Sequence, residues 1–457
     1  MSIMSFIEAN LQQIFLILFN LIIPFYLIRK NRHEWLIFWI AIICSIDIFN
    51  CVKFMNLSSF KLIGIVVLPY SILEFNNFFK TKAVKVYTVN FIYLFILAII
   101  FGYLFPWNDP HEILTWRDYP ARRGFIHLGS IVLETSVVFY IAKNLLNKMF
   151  HQKLFYGLLV GGFFSAIGIL LEKYTHFDFY HFFTEGRDLL LNDRLRGFNY
   201  EPRGASQVAA ISLLLLLFEQ HLTYGVKLFL NILFLLALFF SVGTSGFLLF
   251  ALGIIFLTFN IFVFKKYRSL KVNYLSSLTL LSMIIAAVIT IQVHFKKDHT
   301  VLNYWQENLA KRDYFFTSKS DESKSIAEYL EVFDSAAVNF FIHNPKHLIF
   351  GLGPGLSGFP TSHYVLPKDE YWRNQINSLP HMGLIYTLSN GGIVGIILWI
   401  LFLYQCSKAI NKFSFFYSYK FQLMFALFIF LYLFQIKLHY LLAISVGVSA
   451  SLKTKTG

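Results

Sequence analysis

"RLRGFNYEPRGASQVAAISLLLLLF", residues 194–218, decides the class of fold. Its second half is apolar and uncharged. Its first half sets Arg194, Arg196, Arg203 and Glu201 at the mouth of that apolar run. Charge is costly beside hydrocarbon, so these groups must be holding something. Comparable runs recur near 12–28, 35–52, 60–76, 87–105, 125–142, 154–171, 205–219, 226–241, 243–264, 273–294, 381–405 and 417–436, with a weak further run at 438–451. A helix needs about 20 apolar residues to cross a bilayer core. The chain is 57% hydrophobic and only 14% charged, with a mean hydropathy of +0.60. Soluble proteins are nearer about 25% charged. These features predict an all-α fold, residues 1–457 forming a single polytopic membrane domain of about twelve helices, with a thirteenth at the weak run. One large external loop, 295–380, separates two late spans.

The first run, Gln12–Ile28, is too long for a signal-peptide core and lacks a basic leader and a small-residue cleavage site, so no cleavable signal is expected. Cys44, Cys51 and Cys406 fall in or beside spans without metal or disulfide spacing, and read as small core hydrophobes. No metal and no cofactor is expected. The net charge of +14 reads as loop charge arranged for topology rather than as a nucleic-acid surface.

Lysine and arginine set the orientation. Arg29/Lys30/Arg32, Lys80/Lys82/Lys85, Lys143/Lys148/Lys153, Lys227, Lys265/Lys266/Arg268/Lys271 and Lys408/Lys412 occupy one set of alternate loops, read as cytoplasmic. Loops 106–124, 172–204 and 295–380 are then external, as is the N-terminus. Arg117, Arg122, Arg123, Arg187, Arg194, Arg196, Arg203, Arg312 and Arg373 lie on that external side, where topology gives no reason to choose arginine over lysine. A planar guanidinium fork suits phosphate better than a mobile ammonium does. The external side therefore reads as anion-binding, with anchoring of loop ends to lipid phosphate as the alternative.

Four stretches carry candidate chemistry. In "RGFNYEPRGAS" Arg196 and Arg203 flank the start of a helix, whose free N–H groups attract anions. Glu201 would orient an arginine or act as a base. A self-neutralising surface cluster is the plainer alternative. "SVGTSGFLLF" places Ser245 and Gly246 at a tight turn suited to close helix packing, with backbone approach to a ligand as the alternative. "FGLGPGLSGF" alternates Gly351, Gly353 and Gly355 without the strand and helix of a dinucleotide site, so it reads as a positioning turn. "LPHMGLIYTLSNGGIVGIILWI" puts His381 at the head of an apolar span, with Gly391, Gly392 and Gly395 further along. A histidine there can take a proton near neutral pH, or simply anchor the helix. Within 295–380, "SIAEYLEVFDSAAVNFF" has the spacing of an amphipathic helix.

These stretches, in this order, resemble the O-antigen polymerase and ligase superfamily of bacterial membrane glycosyltransferases. Arg196-Gly197-Phe198 and Glu201-Pro202 match its arginine-to-proline segment, and Thr244-Ser245-Gly246 its serine-glycine turn. Pro345, Gly351-Leu352-Gly353, His381 and Gly392-Ile393-Val394-Gly395 match its large loop and the span after it. The resemblance covers about residues 190–405. It implies a sugar chain carried on undecaprenyl diphosphate as substrate, metal-independent inverting transfer, and a site on the periplasmic face of the inner membrane. It implies Arg194, Arg196 and Arg203 at the pyrophosphate, and Glu201 and His381 as catalytic groups. Arg122, Arg123, Arg312 and Ser245 are further expected contacts. The implied partners are the lipid-linked oligosaccharide, the bilayer and a chain-length regulator protein, with no nucleic acid. The chain lacks the arginine often found at the serine-glycine turn, and Arg312 is the sole candidate for the loop arginine of ligases. That favours a polymerase of O-antigen, capsule or exopolysaccharide over a ligase to lipid A core. A polysaccharide flippase or another transporter is the rival class, but no half-to-half repeat is visible and the spans hold few ionisable groups, Asp47, Glu74, Glu134 and Glu219 in or near them. A scaffolding subunit is a further rival.

Overall fold

The computed structural model describes residues 18–50, 58–104, 119–180, 195–219, 221–241, 243–263, 278, 281–282, 330–365, 379–412, 418–435 and 437–453. Among them every regular element is helical. The longer ones are α1 (Leu18–Arg29), α2 (His33–Ser45), α3 (Ser59–Phe79), α4 (Lys82–Ile99), α5 (Pro120–Asn144), α6 (Lys148–Thr175), α7 (Pro202–Leu216), α8 (Tyr224–Phe240), α9 (Thr244–Thr258), α10 (Val332–His343), α11 (Gly383–Asn411), α12 (Ser418–Phe434) and α13 (His439–Lys453). Helices stand at every expected run except 273–294, which lies outside the described residues apart from 278, 281 and 282. Among the described residues six segments are long and apolar enough to cross a membrane: Ser59–Phe79, Lys82–Tyr103, Pro120–Asn144, Lys148–Thr175, Ser245–Phe262 and Gly383–Asn411. The expected span 35–52 is shorter than its hydropathy suggested. α2 ends at Ser45, Ile46 is extended, and a 3-10 turn, Asp47–Asn50, follows.

Local chemistry explains the helix starts. Pro120 and Pro202 occupy first-turn positions, where a missing N–H costs nothing and the fixed φ suits a helix. Thr81 caps α4 by accepting from Val84 N–H, and Asn147 caps α6 by accepting from Met149 N–H.

The chain divides into two compact units, 1–66 with 147–319, and 67–146 with 320–457. In the first, α2 packs on α6, and α7 packs on α6, α8 and α9. α7 is buried along nearly its whole length, so it is the core helix of this unit. Gly243 and Gly246 sit against Ser206 of α7, so the serine-glycine turn packs closely on this helix. In the second unit, α11 lies against α4, α12 and α13, and α13 packs on α5. Of the stretch 325–341 expected to form an amphipathic helix, residues 325–329 lie outside the described residues, and the helix α10 starts only at Val332 and packs on α11 and on the short turns at Pro345–Leu348 and Ser362–Tyr364.

Candidate functional site

In the first unit the site is a buried knot before α7. Arg196 is fully buried. Its Nε donates to Asp178 Oδ1 at 3.2 Å and its Nη2 to Asp178 Oδ2 at 2.5 Å. Nη1 donates to the Tyr200 carbonyl at 3.1 Å, and the guanidinium lies 4.7 Å from the Tyr180 ring centroid. Every guanidinium nitrogen is therefore engaged. The fork expected to face a phosphate holds a carboxylate of the same chain, and that carboxylate is Asp178, not Glu201.

The backbone here is held as firmly. Glu172 Oε2, near the end of α6, accepts from Arg196 N–H at 2.9 Å and also from Gly197 N–H. Gly197 turns at φ +57, and a Cβ there would sit 2.6 Å from Ile169 N, so only glycine fits. Asn199 Nδ2 donates to Ser165 Oγ at 2.7 Å, and Tyr200 N–H to Asp47 Oδ2 at 3.2 Å. Phe198 packs with Ile42, Ile46 and Ile48. Clamped in this way, the chain enters α7 with Glu201 at its N-cap and Arg203 in its first turn, both partly exposed. No hydrogen bond caps the helix through the Glu201 side chain. Ser245 Oγ accepts from Gln207 Nε2 at 3.3 Å. Arg194 and Arg312 lie outside the described residues.

In the second unit His381 precedes α11 and is exposed. Its Nδ1 is 2.9 Å from Glu331 Oε2, the N-cap residue of α10. The next peptide is fixed too, since Met382 N–H donates to Asp334 Oδ1 at 3.0 Å. Asp334 is fully buried and its Oδ2 has no hydrogen-bond partner among the described residues. Burial pushes the Asp334 carboxyl above its ordinary value, opposed by the Met382 N–H and by His381.

The glycine-rich turn docks into α11. Gly351, Gly353 and Gly355 have φ of +75, +87 and +72. Leu352 N–H donates to Ser389 O at 2.7 Å, and Gly355 N–H to Asn390 Oδ1 at 3.1 Å. α11 breaks its helical geometry at Gly392, φ +63, where a Cβ would lie 2.3 Å from Ile349 O. What approaches closely at Gly392 is thus the backbone of this turn. On α5, Arg123 Nε donates to Gly355 O at 2.7 Å, and its guanidinium lies 5.5 Å from the Phe359 ring. Arg122 is exposed and lies 5.3 Å from the Tyr119 ring. Arg123 therefore braces the turn.

The model of the O-antigen ligase family matches residues 229–400. This segment carries the O-antigen ligase domain. It contains the serine-glycine turn, the glycine-rich turn, His381 and Gly392, and it begins after the Arg196–Arg203 stretch. No curated protein gives a significant match. Members of the superfamily are glycosyltransferase-like membrane enzymes, ligases or polymerases, and the family implies a membrane setting and a lipid-linked glycan substrate. With its several apolar helices the chain is a multi-pass membrane protein.

Sequence reasoning missed Asp178, Glu172, Glu331 and Asp334. One signal was available: an arginine beside an apolar run needs a nearby acid, and Asp178 lies 18 residues upstream of Arg196. Nothing local marks Glu331 as the partner of His381, since the two are 50 residues apart.

Proposed function

We propose that the protein polymerises polysaccharide repeat units carried on undecaprenyl diphosphate, on the external face of the bacterial plasma membrane. The observation that carries this reading is the His381–Glu331 pair. A carboxylate on Nδ1 favours the tautomer with the proton there, leaving Nε2 as a base. His381 takes the proton of the acceptor hydroxyl as that oxygen attacks C1 of the donor sugar. The C1–O bond to the diphosphate breaks, undecaprenyl diphosphate leaves with the bonding pair, and a single displacement inverts the anomeric centre. Arg203, and with it Arg194, neutralises the charge growing on the diphosphate, while Arg196 positions the chain that carries them. Glu201 binds the acceptor side. The missing arginine at the Ser245-Gly246 turn favours polymerisation over ligation.

The test supplies one lipid-linked repeat unit as the sole glycan to the purified protein. A ladder of multiples on the lipid carrier is expected. His381→Ala should lower kcat by about 10²–10⁴-fold, the range of a general-base contribution, and Glu331→Gln, which leaves the base in place, should lower it by less. Transfer only after addition of a lipid A core would make the protein a ligase, and full activity of His381→Ala would remove the base assignment.

A further inference from the structure

A cavity of about 420 Å³ lies between α3, α4 and α5 in the second unit, its apolar wall made by Ile72 and Phe75 of α3, Phe91 of α4, and Val132 and Phe139 of α5. Sites that hold small molecules run from about 300 to 1,000 Å³. All three helices belong to segments long and apolar enough to cross a membrane, so the cavity lies at bilayer depth. Ile72 is 64% exposed, and Phe75 and Val132 39% each, so its mouth opens through large apolar side chains toward hydrocarbon.

The hydroxyls in the wall are turned to the protein. Ser71 Oγ donates to Ser136 O at 2.6 Å, Ser136 Oγ to Val132 O at 2.8 Å, and Thr88 Oγ1 to Val84 O at 2.9 Å. Tyr87 and Thr135 share a hydrogen bond of 2.6 Å. These groups ask for no polar occupant, and an apolar cavity holds water poorly. A helix about 10–12 Å across would fill such a volume with little more than one turn, so the shape suits a single hydrocarbon chain rather than a helix of a second copy.

One end of the cavity is cationic. Lys80 follows the lining residue Asn76 by four positions, Lys85 precedes Thr88 by three, and Lys143 follows Phe139 by four, so each helix carries a lysine about one turn beyond its lining. Three contacts bring these ends together. Phe78 of α3 stacks on Phe139 of α5 at 4.5 Å, Lys85 Nζ of α4 lies 6.0 Å from the Phe79 ring, and Lys143 Nζ of α5 meets Glu74 of α3 at 3.0 Å. Within 74–88 and 136–144 the lysines are Lys80, Lys82, Lys85 and Lys143, all exposed, and Glu74 is the only acid. An excess of lysine at the end of an apolar cleft complements a lipid with an anionic headgroup.

We propose that this cleft binds an anionic phospholipid, with one acyl chain between α3, α4 and α5 and the headgroup phosphate at Lys80, Lys82 and Lys85. The lipid fills the space that these helices leave and braces them together. This inference does not rest on the glycosyl-transfer reading, because its readout is lipid binding.

The experiment titrates the full chain, in a neutral detergent, with phosphatidylglycerol and with phosphatidylcholine of the same acyl chains, and counts bound lipids by native mass spectrometry. One phosphatidylglycerol bound more tightly than any phosphatidylcholine is expected. Lys80→Gln, Lys82→Gln and Lys85→Gln together should lower its affinity by about 10²-fold, about fivefold for each lysine. Val132→Trp, which fills the mouth, should remove the tight site. Should Val132→Trp not fold, Ile72→Trp fills the mouth from the opposite wall at a more exposed position. Equal binding of the two lipids, or an unchanged phosphatidylglycerol affinity in the triple lysine variant, would overturn the headgroup assignment and the proposal with it. Tight binding retained by the folded tryptophan variant would place the lipid elsewhere and equally overturn it, as would binding of undecaprenyl phosphate in place of phosphatidylglycerol.

Discussion

Breaking the Arg196–Asp178 pair should separate a structural arginine from one that touches substrate. Both side chains are almost entirely buried, with 1% and 3% exposure, and they meet through two hydrogen bonds. Removing one member of such a pair leaves an uncompensated buried charge and costs about 3–5 kcal/mol. Asp178→Leu strands the guanidinium, and Arg196→Met strands the carboxylate, so each single variant should lose about that much. The double variant restores apolar neutrality and should recover most of the loss, so the two single effects do not add. Arg196→Lys keeps the charge but cannot reach both Asp178 oxygens and the Tyr200 carbonyl at once, and should cost about 1–3 kcal/mol. Thermal unfolding of the purified proteins reads stability, and the ladder assay reads product. If Arg196→Met unfolds like the unmodified protein while its product vanishes, Arg196 acts on substrate and the structural reading is wrong. If the double variant is stable and active, Arg196 has no direct part in catalysis.

Two further outcomes follow from the second unit. Gly392→Ala forces a Cβ 2.3 Å from Ile349 O onto a backbone of φ +63 and ψ −161 that essentially only glycine adopts; that backbone alone costs about 1–3 kcal/mol, so a variant that unfolds like the parent would show that the glycine-rich turn does not dock there. Asp334→Asn tests linkage. Its carboxyl is raised in the folded state by burial, so the unmodified protein is favoured at low pH and loses stability as pH climbs from the ordinary carboxylate value through the raised one. Unfolding midpoints across acid to neutral pH should therefore show the parent falling relative to Asp334→Asn and then running parallel; a constant offset at every pH would refute the shift.

The membrane helices were legible because a run of apolar residues has few other ways to be stable in lipid. Their ends were less so. α6 begins at Lys148 rather than near 154, since Asn147 caps a polar first turn that hydropathy ignores. α2 stops at Ser45 although apolar residues continue, because Ile46 is extended and the chain turns at Asp47, whose carboxylate accepts from Tyr200 N–H far away in sequence. Gly351, Gly353 and Gly355 were readable as a turn, and all three have positive φ. Their docking partner was not readable as such, because Gly392 looks like any small residue in a packed helix until the backbone of the turn is seen against it. Arg196 and His381 stood out by type and position. Their carboxylate partners did not, because pairing across 18 and 50 residues depends on tertiary structure that local spacing does not encode.

The two constellations use acidic residues in the same way, and this bears on how such a basic chain organises its cations. Glu172 accepts the backbone N–H of Arg196, and Asp178 holds its side chain. Asp334 accepts the backbone N–H of Met382, and Glu331 holds the side chain of His381 just before it. In each case one carboxylate fixes the peptide leading into a helix, α7 or α11, and a second fixes the chemically distinctive side chain beside it. A loop end with a single tether can rotate about it, whereas a peptide and a side chain tied separately fix both position and direction. Glu172 and Asp334 are also deeply buried, where a hydrogen bond to a carboxylate is strong and loss of the carboxylate leaves orphaned N–H groups. These four acids are therefore placed where they set geometry. It follows that Glu172 and Asp334 should matter to the placement of Arg203 and His381 without touching any substrate, through the entry angles of α7 and α11.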